Sequence, residues 1–380
     1  MSERYVGAWE QAGLFNPLNA PTVTPVYSPY MYVFGANNAY QLGLGNSTNY
    51  SSPVQLGALT NWNQPSSGAY ATLVVKTDNT LWAWGANGNY GALGLNNLTA
   101  YISSPTQVGA LSNWSLVNCG GSLTFAIKTN GTLWGWGYNS TGGLGLNNTT
   151  SYSSPKQVGA LTIWSTVSTS NNGFTLAIQT NGTIWSWGSN NQGQLGLGNT
   201  TYTSSPIQIG ASSNWSKVAT GVQHSLAIKT DGTLWGWGRN TEGQLGIGNA
   251  NNISSPVQVG SLTNWLSITA GTYSSLAIKT DGTLWAWGKS NYGQLGLNNT
   301  NYYSSPKQVG SLTNWSKVIT SGNHTVSVKT NGTLWAWGWN IGGELGQGNT
   351  TYFSSPKQVG SLTSWLSISA GTRSSFATQY

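Results

Sequence analysis

Apolar and polar positions alternate along this chain in bursts of five or six residues, and the 3.6-residue period of a helix is absent throughout. Residues 214 to 260 show the pattern once through. Trp215-Ser-Lys-Val-Ala-Thr-Gly221 and Ser225-Leu-Ala-Ile-Lys-Thr230 predict two strands, A and B. Asp231-Gly232 predicts a two-residue type I′ hairpin, and Thr233-Leu-Trp-Gly-Trp-Gly238 predicts strand C. After a Gly/Asn-rich loop, Ser255-Pro-Val-Gln-Val-Gly260 predicts strand D, at an edge because only an edge tolerates the proline. Four antiparallel strands in about 50 residues make one propeller blade.

The unit recurs. Its Trp-x-Trp-Gly signature ends on Gly85, Gly137, Gly188, Gly238, Gly288 and Gly338, and a degenerate copy, Tyr32-Val-Phe-Gly35, precedes them. Seven copies at steps of 50 to 52 residues are a repeat array. The array begins and ends out of phase. The N-terminal part enters at a C strand (Tyr30 to Gly35) and a D strand (Pro53 to Gly57), while the chain ends after an A strand (Trp365 to Ala370) and a B strand (Ser375 to Tyr380). The expected fold is therefore all-β: a seven-bladed β-propeller over residues 30–380, closed by pairing the N-terminal strands with the C-terminal half-blade, which protects the edges of an open array. Residues 1–29 stand outside the ring and carry Pro17, Pro21, Pro25 and Pro29 together with Trp9, Leu14 and Phe15. They predict an extended arm whose apolar side chains either pack on the propeller's side or dock into a partner, the expectation being that docking brings the chain into a larger assembly.

Composition sharpens this picture. Lys and Arg number 14 and Asp and Glu 7, so charged residues are 6% of the 380, against roughly 25% in an average domain. Asn, Thr, Ser and Gln must supply solubility. Of 21 tryptophans, all but Trp9 and Trp339 fall at periodic positions, which assigns them to the core between blades. The single cysteine, Cys119, excludes an internal disulfide framework and reads as a small hydrophobe. No run of 18 apolar residues is present, and the first residues lack the secretory pattern, so neither membrane insertion nor standard export is expected. The formal net charge is +7, but Lys76, Lys128, Lys229, Lys279 and Lys329 are set by the repeat at the end of strand B and form no stripe, so nucleic acid is not expected as a partner.

Candidate chemistry is sparse. His224 and His324 occupy one repeat position and read as hydrogen-bonded loop residues. Gly-Leu-Gly runs such as Gly196-Leu-Gly198 imitate phosphate loops, but no helix follows them. Asp78, Asp231 and Asp281 take hairpin positions where other units have Asn, and Glu242 and Glu344 lie in separate units. No catalytic residue, metal ligand or cofactor is expected, and the chain reads as a non-enzyme.

The run Gly-x-x-His-Ser-Leu-Ala-Ile-Lys-Thr-Asp-Gly-Thr-Leu-Trp-x-Trp-Gly-x-Asn-x-x-Gly-Gln-Leu-Gly, written out at Gly221 to Gly246, resembles the regulator of chromosome condensation repeat family, and the resemblance covers residues 30–380. It implies a seven-bladed propeller. Members of that family include an exchange factor for a small GTPase, chromatin-binding and photoreceptor proteins and a β-lactamase inhibitor, so the fold leaves function open. Units of uniform length leave no room for a protruding wedge, and acidic residues are scarce, two departures from the exchange-factor pattern; the resemblance carries the fold, and no catalytic residue, to this chain.

Comparing the seven units shows where they differ. The B-to-C turns and D-to-A links are nearly uniform and share one face, whereas the A-to-B and C-to-D loops vary and share the other. Directly after Trp-Gly stand Ala36, Ala86, Tyr138, Ser189, Arg239, Lys289 and Trp339, with Tyr40, Tyr90, Glu242, Tyr292 and Ile341 close by. The mixture of Tyr, Trp and Arg has interface composition. The expected partner-binding set is Tyr40, Tyr90, Tyr138, Arg239, Glu242, Lys289, Tyr292, Trp339 and Ile341. The first functional expectation is a non-enzymatic binding or structural propeller of a virion (phage) particle, meeting a host surface or another virion protein and located in a virion or extracellular particle. The alternative is a soluble, cytoplasmic regulator that binds one protein partner, inhibitor-like or exchange-factor-like.

Overall fold

The structure, a computed structural model, describes residues 29–380. The expected arm with Trp9, Leu14 and Phe15 lies outside the described residues. Among the described residues there are 28 strands in seven four-stranded antiparallel sheets. Blades 1 to 6 are continuous: 62–107, 114–157, 164–208, 215–258, 265–308 and 315–358. Blade 7 is split, with strands A and B at Trp365–Ala370 and Ser374–Gln379 and strands C and D at Tyr30–Gly35 and Tyr50–Gln55. The seam runs from Tyr30 opposite Gln379 to Gly35 opposite Ser374 without a register break. The all-β seven-bladed propeller and its closure are thus as the sequence predicts.

Blade 4 shows how the pattern builds a sheet. Strand B, His224–Lys229, is buried along nearly its whole length and lies between strand A, Trp215–Thr220, and strand C, Leu234–Gly238. Strand D, Ile253–Gln258, is the half-exposed outer edge that accommodates Pro256. The B-to-C turn differs from the prediction. The Lys229 amide donates to Thr233 O (3.0 Å) and the Gly232 amide to Lys229 O (3.0 Å), and only Gly232 has positive φ (77°). This is a three-residue loop, Thr230-Asp-Gly232, with the glycine in the left-handed region; a type I′ turn would need Asp231 there as well.

The core lies between blades. Leu226, Ile228, Leu234 and Val259 of blade 4 pack against Trp265, Ala277 and Trp287 of blade 5. Trp287 Nε1 and Ser275 Oγ both donate to Gln244 O of the preceding blade, at 2.9 and 2.7 Å. Six blades repeat the tryptophan link; in blade 7 Phe34 takes that place and only the Ser375 hydroxyl reaches Glu344 O, at 2.8 Å. The first tryptophan of each pair behaves differently. Trp235 is half-buried and donates to Thr233 Oγ1 (2.9 Å), which donates to Asp231 Oδ1 (2.6 Å). Asp231 is therefore a turn acceptor, and the Thr233 hydroxyl holds its carboxyl below the usual range. Lys279 Nζ sits 3.7 Å from the Trp285 ring and 4.9 Å from that of Trp265; five blades have such a covered lysine.

Strands A surround a polar channel lined by Ser66, Asn118, Ser168, Thr220 and Thr269, among others. Several of these side chains accept from an amide of the next blade: Cys119 N to Ser66 Oγ (2.8 Å), Thr169 N to Asn118 Oδ1 (2.8 Å) and Thr320 N to Thr269 Oγ1 (3.1 Å). The channel wall thereby joins blade to blade.

Candidate partner-binding face

The C-to-D loops cap one face, and in six of the seven blades a buried Asn holds the loop. In blade 4, Asn240 Oδ1 accepts from Leu245 N (2.9 Å) while its Nδ2 donates to Asn249 O (2.9 Å). Gln244 Oε1 braces the same loop by accepting from Glu242 N (3.0 Å). The Leu-Gly glycines serve packing: a Cβ on Gly246, whose φ is +74°, would lie 2.8 Å from Trp287 Nε1. These runs are seats for the next blade's tryptophan, a role the sequence reading did not assign them.

Each residue after Trp-Gly is fixed by its amide, which donates to a carbonyl in the A-to-B loop of the same blade. Arg239 meets Gln223 (2.9 Å), Lys289 meets Tyr273 (2.9 Å), Trp339 meets Asn323 (3.0 Å) and Ala36 meets Arg373 (2.8 Å). Ala86 meets Tyr70 (2.9 Å), Tyr138 meets Ser122 (2.8 Å) and Ser189 meets Gly173 (3.0 Å). Sequence reasoning singled out only the first partner of each pair and missed Tyr70, Tyr273 and Arg373. The signal was available, since small residues at one position accompany large ones at the other in Ala36/Arg373 and Ala86/Tyr70.

The predicted residues divide into two groups. Across blades 4 and 5, Arg239 bridges Glu242 (2.9 Å), donates to Thr241 Oγ1 (2.9 Å) and Gln223 Oε1 (3.1 Å), and lies over the Tyr273 ring at 4.6 Å. Lys289 approaches the same ring at 5.2 Å. Burial pushes the Glu242 carboxyl up, but the Thr241 hydroxyl and the Arg239 guanidinium outweigh it and hold it below the usual range. Across blades 5 and 6, Tyr292 meets Trp339 edge-on at 4.4 Å, and Trp339 stacks on Tyr352 at 5.0 Å. Ile341 beside them is 57% exposed. Tyr352 lies within electrostatic reach of Glu344 and Arg373. The second group is uncharged: Tyr40 packs on Tyr101 at 5.8 Å, and Tyr90 on Tyr138 at 4.7 Å.

The remaining ionisable groups are structural in placement. His224 and His324 begin strands and are fully buried, rather than lying in loops. Because Ser275 Oγ spends its proton on Gln244 O, it must accept from His224 Nε2–H (3.0 Å), leaving Nδ1 bare and buried. His324 repeats this with Ser375 at 2.9 Å. Burial lowers their pKa values to about 3 and about 4. Glu344 is buried, accepts from Gly342 N (2.8 Å) with Oε2 only, and burial raises its carboxyl. Cys119 is buried, and burial raises its thiol to about 11. Among the described residues no three His, Cys, Asp or Glu side chains gather where they could hold a metal ion.

Comparison with known proteins places this architecture. The Regulator of chromosome condensation (RCC1) repeat matches residues 30–75, 78–127, 130–178, 181–228, 231–278, 281–328 and 331–378. The chain is 32% identical over 182 residues to the Ultraviolet-B receptor UVR8 of Arabidopsis thaliana, a match covering 46% of this chain and 41% of that protein. It is 32% identical over 157 residues to the X-linked retinitis pigmentosa GTPase regulator of Homo sapiens (40% and 15%), and 29% identical over 175 residues to the probable E3 ubiquitin-protein ligase HERC6 of Homo sapiens (44% and 17%). The matched part therefore spans less than half the length of these relatives. Two solved structures share the fold: human WBSCR16 (TM-score 0.82, 21% identity, 93% of this chain and 99% of that one) and yeast RCC1 (Prp20) bound to Kap60 (TM-score 0.83, 20% identity, 93% and 89%).

These findings overturn the expectation of a virion component and of a virion or extracellular-particle location. The relatives are proteins of cellular organisms, among them a receptor and a GTPase regulator, and they favour the alternative, a regulator. The abundance of Asn has a local cause, since Asn holds the C-to-D loops and the hairpin turns. Seven matched repeats closed into seven blades show that this chain belongs to the Regulator of chromosome condensation (RCC1) repeat family.

Proposed function

We propose that this chain is a non-enzymatic regulator that binds one protein partner through the face carrying the A-to-B and C-to-D loops. The observation that carries this reading is the concentration of bulky, chemically varied side chains on neighbouring blades of that face: Arg239 and Glu242, then Tyr273, Lys289 and Tyr292, then Trp339, Ile341 and Tyr352, then Arg373. Aromatic and Arg side chains on a rigid platform lose little entropy on binding, and such residues dominate interface energetics. Yeast Prp20 has been crystallised with Kap60 and studied for its binding to Gsp1p and histones, so protein binding has a precedent on this fold. Exchange-factor-like or inhibitor-like regulation are the two forms this binding takes in our reading. Residues 1–29, with Trp9, Leu14 and Phe15, are proposed as a separate docking arm.

The test is affinity capture with three full-length proteins: the parent, a face variant (Lys289→Ala, Trp339→Ala, Arg373→Ala) and an opposite-face variant (Leu59→Asn, Leu161→Asn, Leu312→Asn). A partner retained by the parent and the opposite-face variant but lost from the face variant supports the reading. Retention by the face variant contradicts it.

A further inference from the structure

The chemistry of that face also specifies the kind of segment it would take, an inference that rests on the partner-binding reading above. Tyr292, Trp339 and Tyr352 pack on one another at 4.4 to 5.7 Å, so they form a filled aromatic knob, not an open cage that a cation could enter. Ile341, two residues after Trp339 in the same loop, is more than half exposed. The buried Trp339 Nε1 has no hydrogen-bond partner.

Cations flank this knob on both sides. Lys289, three residues before Tyr292 in the same loop, lies over the Tyr273 ring and has no ion pair among the described residues. Arg373 stands on the other side, in blade 7, exposed and within electrostatic reach of Tyr352. Neither acid of the face forms an ion pair with them. Glu242 is engaged by Arg239, and Glu344, within electrostatic reach of Arg373, lies beneath the surface, fully covered, and makes no ion pair with it among the described residues. A cation without an ion pair on both sides of an apolar centre is complementary to exposed carboxylates spaced about an apolar residue.

The geometry points to an acidic linear segment of the partner as the occupant: one aromatic or aliphatic side chain set on the Trp339 knob, with carboxylates on either side meeting Lys289 and Arg373. Basic peptides are repelled at the same two positions. The pairs are at the rim, so they set specificity and salt dependence, while the knob supplies most of the affinity.

The probes are three labelled synthetic peptides with a common Phe-Leu centre flanked by Glu-Glu, Ser-Ser or Lys-Lys, titrated with the full-length chain by fluorescence anisotropy. The acidic peptide should bind about tenfold more tightly than the serine peptide, and the lysine peptide more weakly than both. Lys289→Glu with Arg373→Glu should reverse that order, Trp339→Ala should abolish binding of all three, and Leu161→Asn on the opposite face should change none. Equal binding of the acidic and serine peptides, or no binding of the acidic one, overturns the acidic-segment assignment. If the captured partner is nonetheless lost from the face variant, the partner-binding reading stands without it; if that variant keeps the partner, both fall.

Discussion

Ser290 occupies the one repeat position where the loop-bracing Asn is missing. In blades 1 to 4, 6 and 7 an Asn carbonyl accepts from the buried leucine amide five or six residues on, as Asn340 does from Leu345 at 2.9 Å. Ser290 is buried and its hydroxyl is unpartnered. Ser290→Asn is expected to raise stability by about 1 kcal/mol, seen as a higher melting temperature, because it restores bonds that the sister loops make. The histidines give a pH dependence of definite sign. Burial depresses their folded pKa values to about 3 and about 4, so the unfolded chain takes up protons first as the pH falls. Their contribution is fully present above about pH 6.5 and is lost as the pH drops toward those values. Replacing both with Ser, the residue at this position in blades 5 and 7, should make the stability loss between pH 7 and pH 5 smaller by about 2 kcal/mol per histidine, measured by urea titration. An unchanged pH profile would contradict their neutral, buried state.

At the scale of the element, the two tryptophans of a Trp-x-Trp pair do different work although the sequence makes them look alike. Trp237 is fully buried and tied to Gln194 O of the preceding blade (2.9 Å), whereas Trp235 is half-buried and tied to its own turn. Trp237→Ala should cost about 3 to 5 kcal/mol and Trp235→Phe about 1 kcal/mol in equilibrium unfolding. Strand identity was legible in the sequence because alternation and the 50-residue step are both strong signals. The turn type was not, because Asp-Gly reads the same whether or not the preceding Thr joins the loop, and only the Lys229–Thr233 bond decides it. The site was half legible. Variation after Trp-Gly found Arg239, Lys289 and Trp339, but Tyr273, Tyr352 and Arg373 become their neighbours only when loops about 13 to 34 residues away or at the chain's other end fold back.

At the scale of the molecule, closure holds the platform. Strands C and D of blade 7 come from the N-terminal part and A and B from the C-terminal part, so deleting residues 30–57 removes half of that sheet and exposes the edge of Ser374–Gln379. The deletion should abolish the cooperative melt of the whole ring; a variant that melts like the parent would refute the closure. A rigid closed ring also explains how loops of separate blades can act as one surface. The measurement that tests this most directly is the dissociation constant of the captured partner, by calorimetry, for two triple variants of that face. Lys289→Ala with Trp339→Ala and Arg373→Ala should weaken binding about 100-fold at an unchanged melting temperature, while Tyr40→Ala with Tyr90→Ala and Tyr138→Ala should stay within about threefold. An undiminished affinity in the first variant, or the larger loss in the second, would contradict the assignment of the charged aromatic arc as the binding site.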